Sequence, residues 1–147
     1  PSLFHALLRT QNHYQQEAKL KAEALDLLRI FNLDQLCQEK AKNLAYGQQR
    51  RLEIVRALAL HPKILFLDEP AAGMNPNETA ELTQLIAQIQ ADFDLTVVLI
   101  EHDMSLVMDI CQKIFVLEYG RLIAQGGPKE IQANPQVIRA YLGGDGD

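Results

Sequence analysis

Hydrophobic and polar positions change character twice along the chain. From 15 to 31 the apolar residues recur at helical spacing. Leu20, Ala24, Leu27, Leu28 and Phe31 share one side, with Lys19, Lys21, Glu23 and Asp26 largely between them. That pattern predicts an amphipathic helix. Residues 3–8 also read as helical, set off by a polar joint at 9–13. Residues 32–42 predict a turn and a short polar helix. A second long helix is expected over 47–60, with Leu52, Val55, Leu58 and Ala59 on its buried side and Pro62 as its stop. The second regime opens at 64–67, Ile-Leu-Phe-Leu, an unbroken apolar run that predicts a strand covered on both faces. Residues 95–100, rich in β-branched side chains, predict another. Between them a helix starts at Pro76 or Asn77, with Leu82, Leu85, Ile86 and Ile89 inward, and residues 103–111 are helical again. In the third regime, 113–117 and 121–124 flank Glu118-Tyr119-Gly120, a hairpin signal. Two short helices follow, one opened by Pro128, the other capped by Asn134 with Pro135 in its first turn. Residues 143–147 are expected to fray.

This order predicts an α/β fold: helices first, then strands alternating with helices in a parallel sheet with right-handed crossovers, then a hairpin. Two parallel strands and a hairpin make a thin sheet, so further strands are expected upstream. The chain also begins at Pro1 and runs directly into a helical pattern, as a fragment would. No internal repeat or low-complexity tract interrupts it.

Composition narrows the function classes. The length of 147 residues suits one domain, and 48% hydrophobic with 22% charged residues is ordinary for a soluble globular protein. A net charge of −5 offers no general electrostatic reason to bind nucleic acid. The apolar runs are far too short to cross a bilayer, and no signal-peptide pattern is present. Cys37 and Cys111 are too few for a disulfide framework and lack metal-ligand spacing. They read as reduced, buried or half-buried cysteines of a cytosolic protein.

Three segments carry candidate chemistry. Ile64-Leu65-Phe66-Leu67-Asp68-Glu69-Pro70 ends a strand in two carboxylates, where an open parallel sheet collects functional groups. Neighbouring carboxylates that are buried repel and lose hydration, so a cation or basic partner would relieve them. In nucleotide hydrolases the first acid of such a pair holds Mg²⁺ and the second orients and deprotonates the attacking water. The plain alternative is a helix cap or a surface pair. Asn43-Leu44-Ala45-Tyr46-Gly47-Gln48-Gln49-Arg50-Arg51 feeds the start of a long helix, whose free N–H groups and dipole suit a phosphate. Taken alone, the segment reads more simply as an ordinary loop jointed at Gly47 with its arginines solvated. Glu101-His102-Asp103 puts a histidine at the second strand's end, able to donate a hydrogen bond to a γ-phosphate or simply to cap a helix.

Taken in this order, the three segments resemble the second half of the ABC ATPase nucleotide-binding domain, a P-loop NTPase fold, over nearly the whole chain. The resemblance puts Leu44, Ala45, Tyr46, Gly47 and Gln48 at the signature loop. It puts residues 64–68 at the Walker B strand, with Asp68 toward Mg²⁺, Glu69 as catalytic glutamate and His102 as switch histidine. Residues 71–75 occupy the D-loop position, which adds Ala72, Gly73 and Asn75 to the nucleotide-binding set. It implies three parts: a helical subdomain over 1–60, a catalytic part over 61–127, and C-terminal helices and tail over 128–147. Two departures stand out. Ala45 and Tyr46 replace the Ser and first Gly of Leu-Ser-Gly-Gly-Gln, which removes one hydroxyl donor. The D-loop ends in Met74-Asn75 where Leu-Asp is common. Leu-Ala-Tyr-Gly-Gln-Gln-Arg-Arg-Leu-Glu-Ile, Asp-Glu-Pro-Ala-Ala-Gly-Met-Asn-Pro, Ile-Glu-His-Asp-Met and the ending from Asn134-Pro135 to Gly143 are similar to the LivG-type ATP-binding subunits of branched-chain amino-acid importers.

That resemblance implies ATP and Mg²⁺ as ligands, a second ATPase subunit and membrane permease subunits as partners, and a cytoplasmic, peripheral place on the inner face of the membrane without insertion into it. No Gly-x-x-x-x-Gly-Lys-Ser/Thr occurs in these residues, so the P-loop is expected elsewhere and the chain by itself is expected to be inactive. Two other readings remain open. One is a soluble ABC ATPase of the DNA-repair kind, disfavoured by the absence of a sustained heptad run and by the acidic balance. The other is a short non-hydrolysing partner that lends its signature loop to another subunit.

Overall fold

In the computed structural model the backbone is described for residues 3–142 and the side chains for residues 13–141. The first helix, α1, runs unbroken over Leu3–Ile30, so the joint expected at 9–13 does not form. Nothing there breaks a helix: Arg9-Thr10-Gln11-Asn12-His13 holds neither Gly nor Pro. The helix ends in a left-handed residue, Asn32 at φ 55°, and the Leu33 amide reaches back 2.8 Å to the Leu28 carbonyl. Phe31 and Leu33 are buried just past this turn. Two single 3₁₀ turns, Asp34–Leu36 and Ala41–Asn43, stand where a short polar helix was expected.

Helix α2 spans Tyr46–Leu58 and buries Ile54, Val55 and Leu58. Val55 and Leu58 are buried as expected, but Leu52 is only half-buried, Ala59 is exposed, and Ile54 takes the remaining buried place. Left-handed His61, φ 49°, turns the chain before Pro62. Strand β1, Ile64–Asp68, and strand β2, Thr96–Ile100, form a two-stranded sheet. The Thr96 amide bonds the Lys63 carbonyl and the Glu69 amide bonds the Ile100 carbonyl, so both strands advance together, in parallel. Helix α3, Pro76–Asp92, joins them and buries Leu82, Leu85, Ile86 and Ile89 as expected. Neither strand is covered on both faces. In β1 only Leu65 and Leu67 are buried, while Ile64 and Phe66 are exposed, and in β2 Val98 and Ile100 are exposed.

Helix α4, Met104–Ile110, leads to the hairpin of β3, Ile114–Glu118, and β4, Arg121–Gly126. These strands form a separate antiparallel sheet. Tyr119 and Gly120, at φ 46° and 75°, give the doubly left-handed turn that suits the twist of a hairpin. A register shift after Val116 pairs Leu117 with Leu122 and leaves Ile123 as the extra residue of a bulge. Helix α5, Pro128–Gln132, and helix α6, Pro135–Val137, follow, with a wider helical turn over Ile138–Leu142. Asn134 caps α6 by accepting from the Gln136 amide. The frayed tail expected at 143–147 lies outside the described residues. Cys37 is exposed and Cys111 half-buried, so only the second fits the sequence expectation. Burial pushes the Cys111 thiol up.

Residues group into two compact units: Pro1–Leu67 with Ile89–Val98, and Asp68–Gln88 with Leu99–Asp147. In the second, Val107, Ile114, Val116, Ile131 and Val137 form a core, with Met104, Met108, Cys111, Ile123 and Ala124 packed on it. Truncating Ile131, 1% exposed, to alanine is expected to cost about 2–5 kcal/mol of stability in urea unfolding. Leu122→Ala on the exposed side of the same hairpin should stay within about 0.5 kcal/mol.

Candidate functional site

Where β1 ends, the second unit begins to place polar groups. Asp68 is the strand's last residue, and the Glu69 amide donates to the Ile100 carbonyl at 2.8 Å, extending the sheet by one bond. Directly after that bond Glu69 turns left-handed at φ 43°. For a non-glycine residue this conformation costs about 1–2 kcal/mol, and such strain gathers at functional positions. Glu69 Oε1 stands 3.5 Å from His102 Nδ1, an approach of two side chains that remain 53% and 71% exposed. So the strand ends bring together the acid and the histidine that lie 33 positions apart in sequence.

Asp68 is exposed as well, which corrects the expectation that the acidic pair is buried. The alternation of β1 explains it: Leu65 and Leu67 face the core, so Asp68 falls out of phase with them. Among the described residues no three His, Cys, Asp or Glu side chains gather to hold a metal by themselves. A lone exposed carboxylate does fit a hard ion such as Mg²⁺, which takes one or two carboxylates and completes its shell with water and phosphate oxygens.

Glu101 has a role that sequence reasoning did not assign. One of its oxygens, Oε1, accepts from the Ala71 amide at 3.0 Å, and Oε2 accepts from the His102 amide at 3.3 Å. The only signal in the sequence was an acid beside the strand-end histidine. The loop from 69 to 75 then folds as two successive turns, Ala72 N–H to Glu69 C=O and Met74 N–H to Ala71 C=O, both at 3.1 Å. Gly73, at φ 76°, allows the left-handed step between them. At its far end Asn75 and Glu78 cap α3 reciprocally: each side chain accepts from the other's amide at 3.0 Å. The Asn75 side-chain oxygen is therefore engaged by its own helix, while Ala72 and Gly73 offer backbone only.

Asp103 caps α4, accepting from the Ser105 and Leu106 amides and from the Ser105 hydroxyl. That hydroxyl bond first, then the two amides and the nearby His102, hold its carboxyl below the usual carboxylate range.

The other candidate segment lies in the first unit. Ala45 stands at the N-cap of α2 and has no acceptor to offer, so no side chain caps the first-turn amides. Gln48 supplies half of a capping box, its Oε1 accepting from the Ala45 amide at 3.0 Å. Gln49 Nε2 donates to the Leu44 carbonyl at 2.8 Å and fixes the incoming chain. Tyr46 is exposed, and Arg50 holds it: Nε donates to the Tyr46 hydroxyl at 3.0 Å, with the guanidinium 5.2 Å from the ring centre. A further bond from Arg50 to Glu53 and the one to Tyr46 push the guanidinium's pKa up. The first-turn amides of Tyr46, Gly47 and Gln48 are left without a side-chain cap, as an anion site needs, whereas the Leu44 amide donates to the Ala41 carbonyl at 3.2 Å and the Ala45 amide to Gln48.

Comparison with known proteins bears on both segments. A family model described as ABC transporter matches residues 1–72, and one described as branched-chain amino acid ATP-binding cassette transporter matches residues 121–147. The high-affinity branched-chain amino acid transport ATP-binding protein LivG of Escherichia coli (strain K12) is 48% identical over 96% of this chain and 55% of that protein. BraF of Pseudomonas aeruginosa, a protein of the same description, is 47% identical over 93% of this chain and 54% of its own length. The chain therefore spans about half the length of these relatives. Among solved structures, a nucleotide-free ATP-binding cassette from an ABC transporter superposes with a TM-score of 0.76 at 28% identity, over 96% of this chain and 56% of that one.

Two substitutions test the local physics. Ala45→Ser supplies the missing cap acceptor and should raise stability by about 1 kcal/mol in urea unfolding. The Asp103 carboxyl is depressed in the folded state, so its contribution is full above its unfolded value near ~3.9 and is lost as pH falls through the lower folded value. Asp103→Asn keeps a cap and removes the titration. The wild-type unfolding midpoint should therefore drop more steeply than the variant's from about pH 5 downward, and parallel curves would refute the assignment.

Proposed function

From the premise that this chain belongs to the ABC transporter ATP-binding family, we propose that it carries the hydrolytic half of a transport ATPase of branched-chain amino-acid importers. The observation that supports this reading most is the approach of Glu69 to His102 at the ends of two adjacent parallel strands. In the proposed mechanism Glu69 orients the attacking water and accepts its proton, which needs a carboxylate open to solvent at the strand end. His102, 3.5 Å away, donates to the γ-phosphate and keeps Glu69 aimed across the same gap. Asp68 would hold Mg²⁺, and the ion when bound would neutralise phosphate charge.

Tyr46, Gly47 and Gln48 present backbone N–H groups to the nucleotide of a second ATPase subunit, with Leu44 and Ala45 leading the chain into that helix start, and Ala72, Gly73 and Asn75 also belong to the nucleotide-binding set. ATP-driven closure of the two subunits, relayed by the helical part over 1–60 to membrane permease subunits, is the coupling this reading implies. The catalytic part then covers 61–127, and the C-terminal helices and tail 128–147. The phosphate-gripping loop is supplied from outside these residues. A peripheral place on the permease belongs to the same reading; among the described residues no helix is long and apolar enough to cross a membrane. The amino-acid assignment rests on the relatives' descriptions and on the match of residues 121–147.

The decisive variant is Glu69→Gln in the complete ATPase. It removes the base and keeps size and hydrogen-bonding shape, so ATP hydrolysis should fall by roughly 10²–10⁴ while ATP binding is retained. Turnover at the wild-type rate would sink the role given to Glu69.

A further inference from the structure

Glu101 bridges two loops that otherwise leave their strands independently. We infer that it is a positioning residue, tying the Ala71 amide to the His102 amide and so setting the separation of Glu69 and His102. This rests on the hydrolytic reading of Glu69 and His102 proposed above.

Each loop is anchored at separate points. After β1 the chain is fixed at Glu69 by the amide bond to Ile100 and at Asn75 by the reciprocal cap with Glu78. Ala71 lies between these anchors, and Glu101 Oε1 is the acceptor for its amide. After β2 the next anchor is Asp103, which caps α4 by itself. Glu101 is thus not needed to start that helix. Its second oxygen instead takes the His102 amide, the residue whose ring faces Glu69.

The chemistry also singles out a carboxylate. Here the two backbone N–H donors are taken by the two separate oxygens at the end of one side chain, an arrangement a carboxylate supplies. A glutamine would offer one oxygen and turn an NH₂ group toward the other donor. Charge-assisted bonds to N–H are stronger than neutral ones, and Glu101 is half-buried, where such bonds are less screened than at the open surface. Because both oxygens are engaged by backbone, Glu101 is poorly placed to serve as a second general base. Its effect is geometric: displacement of a catalytic group by about 1 Å can cost on the order of a hundredfold in rate.

The experiment pairs amide hydrogen exchange on this chain with kinetics in the complete ATPase. In Glu101→Ala the Ala71 and His102 amides should lose protection, while the Thr79 and Val107 amides at the starts of α3 and α4 keep theirs. The same variant should lower kcat roughly tenfold or more and leave the KM for ATP within about twofold. Glu101→Gln should fall between alanine and wild type, since one oxygen still accepts. Unchanged protection at both amides would overturn the tether. Lost protection with wild-type kcat would overturn the positioning role. Wild-type turnover in Glu69→Gln overturns the hydrolytic reading itself, and Glu101's part in turnover with it.

Discussion

One backbone hydrogen bond, from the Glu69 amide to the Ile100 carbonyl, decides where the strand-end groups of the candidate site can be. It is the last rung between β1 and β2, and it fixes the two strand ends side by side before either chain departs. The left-handed turn at Glu69 can form there because that rung holds the preceding peptide in place. Its cost of about 1–2 kcal/mol is of the size that the following bonds, Ala72 to Glu69 and Ala71 to Glu101, can offset at about 0.5–1.5 kcal/mol each, or more where a carboxylate accepts. Remove the rung and the strain has no support; remove the strain and Glu69 continues along the strand.

Much of this was legible in the residues, for reasons of period and punctuation. The apolar stripe of α3 over Leu82, Leu85, Ile86 and Ile89 is a clean helical repeat, and all four are buried. Tyr119-Gly120 and Asn134-Pro135 announce a turn and a cap by local sterics alone. The strand-end placement of Asp68, Glu69 and His102 followed from where two apolar runs stop. What was not legible depends on partners distant in sequence. An unbroken apolar run cannot say which of its faces is covered, so Ile64 and Phe66 were expected to be buried and are exposed. The 30-residue separation between Ala71 and Glu101 hid the bridging carboxylate, since nothing local to Glu101 reports a donor that far away. The joint expected in α1 failed in the opposite sense: polar residues interrupt an apolar stripe without interrupting a helix.

Helix ends in this chain show a further limit of pattern reading. Asn32, His61 and Asp94 all adopt left-handed backbone where helices stop, the position usually given to glycine. Asn and Asp tolerate it through their short polar side chains. His61 follows α2 immediately before Pro62, whose ring disfavours a helical residue ahead of it. At the other end of α2 the departure is chemical. Alanine at the N-cap removes a hydroxyl and adds no substitute, which leaves first-turn amides for a ligand while Gln48 and Gln49 hold the entering chain.

The strength of the site is a separate matter from its geometry. Glu69 and His102 approach to 3.5 Å yet stay largely in water, and charges in that setting interact weakly. The same pair excluded from water would interact several-fold more strongly at unchanged distance. On the proposed reading, then, this chain encodes aim, and closure of a second subunit over the strand ends supplies force. A carboxylate that bridges two backbone amides is the kind of device such a site would use. It holds the histidine's main chain in register with the loop after Glu69, so that the exclusion of water strengthens an arrangement already in place.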